Sequence, residues 1–187
     1  MTHAHAFVAL CMVWAASQLW IGRRRSGDAT KRRDRGTLDI LIVVIFASLA
    51  LATWLAVRDD DQLAAHDARL AWTGMGLMVA GLVLRWWSVR TLAQFFTVDI
   101  AIQPGQTLVR RGPYRLLRHP SYTGALLTVV GFGIGTGSWP AALVAIVPIT
   151  LAFLHRIRIE ERMLADAFPE AWPDYARETR RLIPYLW

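Results

Sequence analysis

The chain has 187 residues, a hydrophobic content of 55% and a mean hydropathy of +0.33. Soluble domains are about 45–50% apolar even when glycine is counted, so this composition excludes an ordinary soluble domain and a disordered chain and favours a membrane protein. The length fits one domain. Because the formal net charge is +7, the position of the basic residues must decide whether nucleic acid is a partner. The single cysteine, Cys11, excludes an intramolecular disulfide framework and a cysteine-based zinc site.

Three apolar stretches in the first half of the chain each predict a membrane-spanning helix. The first covers 4–21 and is followed by a run of three arginines. A signal peptide carries its positive charge before the apolar run, so we expect this stretch to be a retained anchor. The second covers 38–57 and has Asp39 at its edge as its only charge. The third covers 70–92 and contains glycines that would allow another helix to approach closely, namely Gly74, Gly76 and Gly81.

Two shorter apolar stretches, 122–137 and 140–154, predict a tight helical hairpin. Each is short for a span, so we expect it to tilt or to draw on flanking residues. The remaining segment, 155–187, is predicted to form a cytoplasmic surface or interfacial helix. Its apolar residues are spaced like one helical face: Met163, Leu164, Phe168, Trp172 and Tyr175. The fold class is therefore an all-α, polytopic integral membrane protein of one domain, residues 1–187, with about five transmembrane helices.

The basic residues predict the orientation of these spans. Of the 21 lysines and arginines, 19 lie in the segments 22–37, 85–120 and 155–187. Five spans with the N-terminus outside put all three segments on one side, and basic residues accumulate in cytoplasmic loops. The arginines are thus interpreted as topology determinants and headgroup contacts, and nucleic acid is not an expected partner.

The loop at 93–121 is the first candidate for function. A loop of about 30 residues is uncommon in a small compact protein and is usually functional. Pro113 and Pro120 exclude the preceding residues from helical backbone, and irregular backbone near a membrane needs burial or a polar ligand to pair its amides. A cytoplasmic ligand site is one reading. A connector whose arginines contact lipid phosphates is equally compatible with the spacing.

Three polar side chains border this region. His119 has no second histidine or cysteine at metal-ligand spacing, so we expect no metal site. A lone histidine beside the membrane is more often an interfacial or structural residue than a catalyst. Arg156 and Glu160 are four residues apart where the last span ends. They form either a solvated ion pair or the wall of a polar cavity, in which an arginine binds a carboxylate and a glutamate binds an ammonium group.

Taken together, three motifs over 85–187 resemble the isoprenylcysteine carboxyl methyltransferase family. The motifs are Gly112-Pro113-Tyr114-Arg115, then Arg118-His119-Pro120-Ser121-Tyr122 with Gly124, and then Arg156 with Glu160-Glu161, Phe168, Tyr175 and Pro184. The resemblance implies an integral membrane enzyme that uses S-adenosylmethionine in a pocket built from membrane helices and cytoplasmic segments. The short chain resembles prokaryotic members, which implies a bacterial or archaeal cell membrane.

The resemblance also implies roles for individual residues. Those expected to line the cofactor site are Gln106, Thr107, Leu108, Val109, Tyr114, His119, Pro120, Ser121, Tyr122 and Glu160. Glu160 would hold the amino group of the cofactor, and Arg156 would meet the carboxylate of the substrate. The prenylcysteine enzymes have a cofactor-contacting glutamine near the position of Asp99. Because this sequence has an acid there instead, the resemblance assigns no role to Asp99.

The expected reaction is methyl transfer to an oxygen of a lipophilic substrate taken from the bilayer, such as an alkylpyrone or alkylresorcinol. A carboxylate acceptor needs no base, whereas a phenol or enol would use His119 or Glu161. Two alternatives stay open. One is a phospholipid or amine N-methyltransferase, which the cationic Arg156 disfavours. The other is a non-enzymatic small transporter or scaffold, which the absence of an intramembrane acidic pair in the sequence disfavours.

Overall fold

The computed structural model describes residues 3–24, 36–58 and 68–184, and these residues are helical with no extended sheet. The helices are α1 (His3–Gly22), α2 (Thr37–Arg58), α3 (Ala68–Leu92), α4 (Pro120–Thr136), α5 (Trp139–Ala167) and α6 (Trp172–Glu178). Two short 3₁₀ turns, Ala93–Phe95 and Gly112–Arg115, interrupt the otherwise irregular chain between α3 and α4. The predicted all-α class is confirmed.

Four helices of the described ranges, α1, α2, α3 and α5, are long and apolar enough to cross a membrane. The predicted hairpin stretch 122–137 corresponds to α4, which has 17 residues and falls below the length of the other four. A polytopic integral membrane protein is thus confirmed, whereas the exact number of five spans is not. Helix α4 is nevertheless central, because it packs against both α3 and α5.

Helix α5 is longer than the predicted span 140–154. It begins after Ser138, whose hydroxyl accepts a hydrogen bond from the amide of Ala141, and it runs without a break to Ala167. No glycine or proline between His155 and Ala167 ends it. The first part of the segment predicted to be a separate surface helix is therefore an extension of α5, and a distinct helix begins only at α6.

Glycines bring α3 and α4 into backbone contact. A Cβ atom at Gly81 would lie 2.5 Å from the carbonyl oxygen of Gly124, and one at Gly131 would lie 2.5 Å from that of Gly74. Gly76 faces open space. The expectation of a close helix contact is confirmed for Gly74 and Gly81 and wrong for Gly76, which lies on another face of α3.

The chain after α6 is hydrogen-bonded to the segment before α4. The amide of Arg118 donates to the carbonyl of Arg180 at 2.7 Å, and the amide of Arg180 donates to the carbonyl of Leu116 at 2.9 Å. The amide of His119 donates to the carbonyl of Arg181 at 3.1 Å. This backbone pairing fixes the start of α4 and the side chains that follow it.

Candidate active site

A cavity of about 910 Å³ lies between α1, α2, α4 and α5 and extends to the end of α3 and the irregular segment after it. Its larger part is apolar and is lined by helix residues that include Trp14, Leu41, Ile45, Val129, Ile149 and Phe153. Its other end is polar and is lined by Arg85, Gln106, Tyr114, His119, Ser121, Tyr122, Arg156 and Glu160. One continuous space therefore has an apolar wall that suits a hydrocarbon chain and a polar end that suits a charged group.

The predicted cofactor residues divide into two groups. Six of the ten line the cavity: Gln106, Tyr114, His119, Ser121, Tyr122 and Glu160. The other four, Thr107, Leu108, Val109 and Pro120, are not among the lining residues. Pro120 is fully buried at the first turn of α4, where it starts the helix. The cofactor roles of all ten stay predictions.

Glu160 presents its carboxylate to the cavity. The hydroxyl of Tyr122 donates to its Oε2 atom at 2.7 Å, and His119 Nδ1 lies 3.8 Å from its Oε1 atom. The side chain of Glu160 remains 31% exposed. A carboxylate has about four lone-pair sites, so Glu160 keeps the capacity to accept hydrogen bonds from an ammonium group in the cavity.

Glu161 faces a different set of partners. Arg118 Nε donates to its Oε1 atom at 2.8 Å, and Arg181 Nε donates to its Oε2 atom at 2.9 Å. His119 Nε2 lies 3.4 Å from the same Oε1 atom. Glu161 is 12% exposed and is not among the residues that line the cavity. It joins α5 to the segment before α4 and to the C-terminal segment, and its suggested role as a base stays a prediction.

The imidazole of His119 lies between these two carboxylates. It is 3% exposed, and its ring stacks on that of Tyr122 with the centroids 5.6 Å apart. His119 is within hydrogen-bond distance of Glu161 but not of Glu160. It is also the one suggested base that lines the cavity.

Arg156 is 1% exposed and belongs to the cavity wall, so the solvated alternative for this residue is excluded. Its Nε atom donates to the hydroxyl of Tyr122 at 3.1 Å, and its Nη1 atom donates to the hydroxyl of Thr37 at 3.1 Å. Its Nη2 atom donates to the carbonyl of Val98. The guanidinium thus connects α2, α4 and α5 at the border between the polar and apolar parts of the cavity.

Sequence reasoning missed Arg85, which it counted only among the basic residues of the segment 85–120. Arg85 Nη1 donates to the carbonyl of Ser121 at 3.1 Å, and its buried Nε atom has no hydrogen-bond partner among the described residues. An arginine within an apolar helix is costly and commonly faces a cavity, which is the signal that was available. Asp99 also lines the cavity, and its role stays unassigned.

Tyr114 supplies an uncharged polar group. Its carbonyl accepts a hydrogen bond from the hydroxyl of Tyr175 at 3.2 Å. Burial, together with the nearby carboxylate of Glu160, raises the pKa of Tyr114 well above its usual range. The phenol therefore stays protonated and serves the cavity as a hydrogen-bond donor.

Within residues 3–24, 36–58 and 68–184, no group of three histidine, cysteine or acidic side chains could hold a metal ion.

Residues 70–171 match the family model described as phospholipid methyltransferase. The nickel-cobalt-cadmium resistance protein NccN of Alcaligenes xylosoxydans xylosoxydans is 30% identical over 145 residues, which are 78% of this chain and 62% of that protein. The cobalt-zinc-cadmium resistance protein CzcN of Cupriavidus metallidurans is 41% identical over 87 residues, 46% of this chain and 40% of that protein.

A plant relative is itself named as a methyltransferase. The protein-S-isoprenylcysteine O-methyltransferase B of Arabidopsis thaliana is 29% identical over 115 residues, 60% of this chain and 58% of that protein. This chain thus spans less than two thirds of the length of each of the three relatives. The matched region 70–171 contains α4, nearly all of α3 and all of α5, and it leaves α1 and α2 outside.

Proposed function

Because this chain belongs to the phospholipid methyltransferase family, we propose that it is a membrane-embedded, S-adenosylmethionine-dependent methyltransferase that methylates an oxygen of a lipophilic substrate. The acceptor oxygen belongs to a carboxylate, a phenol or an enol. The observation that carries the proposal is one continuous cavity, which joins an apolar part among the helices to a polar end with both a glutamate and arginines.

The residues at the polar end fit the chemical groups of S-adenosylmethionine. Glu160 is partly exposed and suits the ammonium group. The buried Nε atom of Arg85, which has no partner among the described residues, suits an acceptor oxygen of a ligand. Tyr114 and Gln106 supply further polar atoms. When bound, this cofactor supplies a methyl group on a positively charged sulfur, which a nucleophile displaces in line.

The protein's own residues position the acceptor and exclude water. Efficient displacement needs the acceptor oxygen about 3–3.5 Å from the methyl carbon and in line with the sulfur. We assign the orientation of an anionic acceptor to Arg156, whose guanidinium three other segments of the chain hold in place. A carboxylate is already anionic, so no base is needed. For a phenol or enol, His119 is the candidate base that lines the cavity, and Glu161 would act only through His119, whose Nε2 atom lies 3.4 Å from its Oε1 atom.

The proposal includes the orientation of the enzyme in the membrane. The N-terminus lies outside, and the polar end of the cavity and the C-terminus lie in the cytoplasm of a bacterial or archaeal cell. The acceptor then reaches the apolar part from the bilayer, and the water-soluble cofactor reaches the polar end from the cytoplasm. The positive-inside distribution of 19 of the 21 basic residues supports this arrangement.

Methylation of an amine, as on a phospholipid headgroup, is the second candidate and is favoured by the description of the matching family model. The arginines of the cavity wall, among them Arg85 and Arg156, disfavour it because they repel a cationic headgroup. A role as a transporter or scaffold would not explain the match to the methyltransferase family model. It would also not explain why a glutamate and arginines lie together at the polar end of the cavity.

Calorimetric titration of the detergent-solubilised protein with S-adenosylmethionine tests the proposal. We expect Glu160→Gln to weaken binding about tenfold or more, because it removes a charge-assisted hydrogen bond. Glu170→Gln is the matched control, since Glu170 is exposed and outside the cavity, and it should bind like the wild type. No binding by the wild type at millimolar ligand would sink the proposal.

The division of roles has its own test with Arg156→Lys, which keeps the positive charge at a buried position. We expect it to bind S-adenosylmethionine within about threefold of the wild type. Transfer of labelled methyl to an acidic lipid should fall at least tenfold, because an ammonium group cannot donate the two parallel hydrogen bonds that a guanidinium donates to a carboxylate. A loss of cofactor affinity equal to that of Glu160→Gln would show that the roles are assigned wrongly.

A further inference from the structure

The side chain of Gln18 is half-buried, and one of its polar atoms has no hydrogen-bond partner among the described residues. Gln18 lies on α1 and lines the cavity, and its Nε2 atom has no hydrogen-bond acceptor within the described parts of the chain. In those parts only one other buried side-chain nitrogen or oxygen is in the same state, the Nε atom of Arg85, and Arg85 lines the same cavity. Both orphaned donors thus belong to side chains that line the same cavity.

An orphaned amide needs a reason. A buried donor left unsatisfied is unfavourable, and methionine or leucine would fill a similar volume at this place without that cost. The other lining residues of α1 are uncharged and mostly apolar, namely Cys11, Trp14, Ala15, Leu19, Ile21 and Gly22. The amide is thus explained if its partner is the molecule that fills the cavity.

A hydrogen bond between two helices fixes the level of Gln18. The indole Nε1 of Trp86 donates to the hydroxyl of Ser17 at 2.7 Å, which ties α1 to α3 at residues next to Gln18 and Arg85. Gln18 therefore lies where the polar end of the cavity meets the apolar part. Trp14, one helical turn away, belongs to the apolar part and packs on Phe132.

We propose that Gln18 is a specificity-determining residue that donates a hydrogen bond to an oxygen on the chain of the acceptor lipid, close to its methylated end. The acceptor is then a lipid with a second oxygen function, such as a keto, ether or hydroxyl oxygen, and not a plain hydrocarbon chain with one polar head. The inference rests on the proposed function. Helix α1 lies outside the matched region 70–171, so this selection is a property of the chain's own N-terminal part.

Binding of matched lipid probes without the cofactor tests this inference. The probes are tetradecanoic acid and its 4-oxo, 6-oxo and 8-oxo derivatives, each competing with a fluorescent fatty acid for the detergent-solubilised protein. The readout is the ratio of the affinity of an oxo acid to that of the plain acid, in the wild type and in Gln18→Met. Gln94→Met is the matched control, because Gln94 is exposed and outside the cavity.

For at least one oxo position, we expect the ratio to fall about fivefold to tenfold in Gln18→Met and to stay unchanged in Gln94→Met. Because the amide has no partner within the described ranges, Gln18→Met should also melt at the wild-type temperature or higher when no lipid is bound. Equal ratios at every oxo position, a failure of the wild type to bind any probe, or a melting temperature lowered by several degrees would overturn the inference. Lipid selection without any binding of S-adenosylmethionine would instead overturn the proposed function alone.

Discussion

Glu160 and Glu161 are neighbours in the chain, but their carboxylates have different surroundings. Successive residues of a helix point about 100° apart, so one carboxylate faces the cavity and the other faces Arg118 and Arg181. The pair of acids is visible in the sequence, and the resemblance assigned the cofactor to the first of them. The anchoring role of the second depends on two arginines distant in sequence, which only the folded chain brings to it.

We expect Glu161→Gln to lower the free energy of unfolding by about 3 kcal/mol, because both partners of its ion pair with Arg118 are only 12% exposed and the arginine would lose its counter-charge. Glu178→Gln removes the ion pair with Arg110, whose side chains are 41% and 64% exposed, and should cost less than about 1 kcal/mol. Denaturant unfolding in a mild detergent measures both. Equal losses would contradict the anchoring role of Glu161.

At the scale of elements, the contact between α3 and α4 positions the polar end of the cavity. Gly74 and Gly81 are seven residues apart on α3, as are Gly124 and Gly131 on α4, and seven residues are close to two helical turns. Each pair therefore lies on one face, and the two backbones touch there. The close approach puts Arg85 of α3 within hydrogen-bond distance of the first turn of α4.

We expect Gly81→Ala to reduce the free energy of unfolding by about 1–3 kcal/mol, because its Cβ atom would lie 2.5 Å from a backbone oxygen that cannot move away alone. Gly76→Ala is the matched control. Its Cβ atom meets nothing within 4 Å, so it should be neutral or stabilising by up to about 1 kcal/mol. The same unfolding assay measures both, and a neutral Gly81→Ala would show that the two helices are not in backbone contact.

At the scale of the whole molecule, the cavity has a polar end and an apolar part because different helices supply most of the residues that line each of them. The motif-bearing residues lie at the ends of α3, α4 and α5, whereas α1 and α2 contribute much of the apolar wall. The positive-inside distribution predicts that the polar end faces the cytoplasm. Under the proposed function, this predicted orientation determines that the cofactor enters from the cytoplasm and the acceptor from the bilayer.

Cysteine accessibility in intact cells tests the orientation. In a Cys11→Ser background, we expect Ala4→Cys to react with a membrane-impermeant maleimide before lysis and Glu170→Cys to react only after the membrane is opened. Both positions are exposed in the structure, so accessibility reports the side of the membrane and not burial. The reverse pattern would show that the N-terminus is inside.

The sequence by itself determined the membrane class, the main helices and the segment that carries the polar end, because hydrophobic length, basic clusters and proline positions are local properties. It also singled out Arg156, Glu160 and His119 through their motifs. The length of α5 and the number of spans were less accessible, since charged residues neither end a helix nor set its depth in a bilayer.

Only the tertiary structure decided which of these side chains share one space. Arg85 donates a hydrogen bond to Ser121, and Arg156 donates one to Thr37. Gln18, near the N-terminus, lines the same cavity. These contacts depend on the distance and rotation between helices, which are set by the glycine faces of α3 and α4 and by packing over the whole bundle. No local pattern around any of the three residues contains that information.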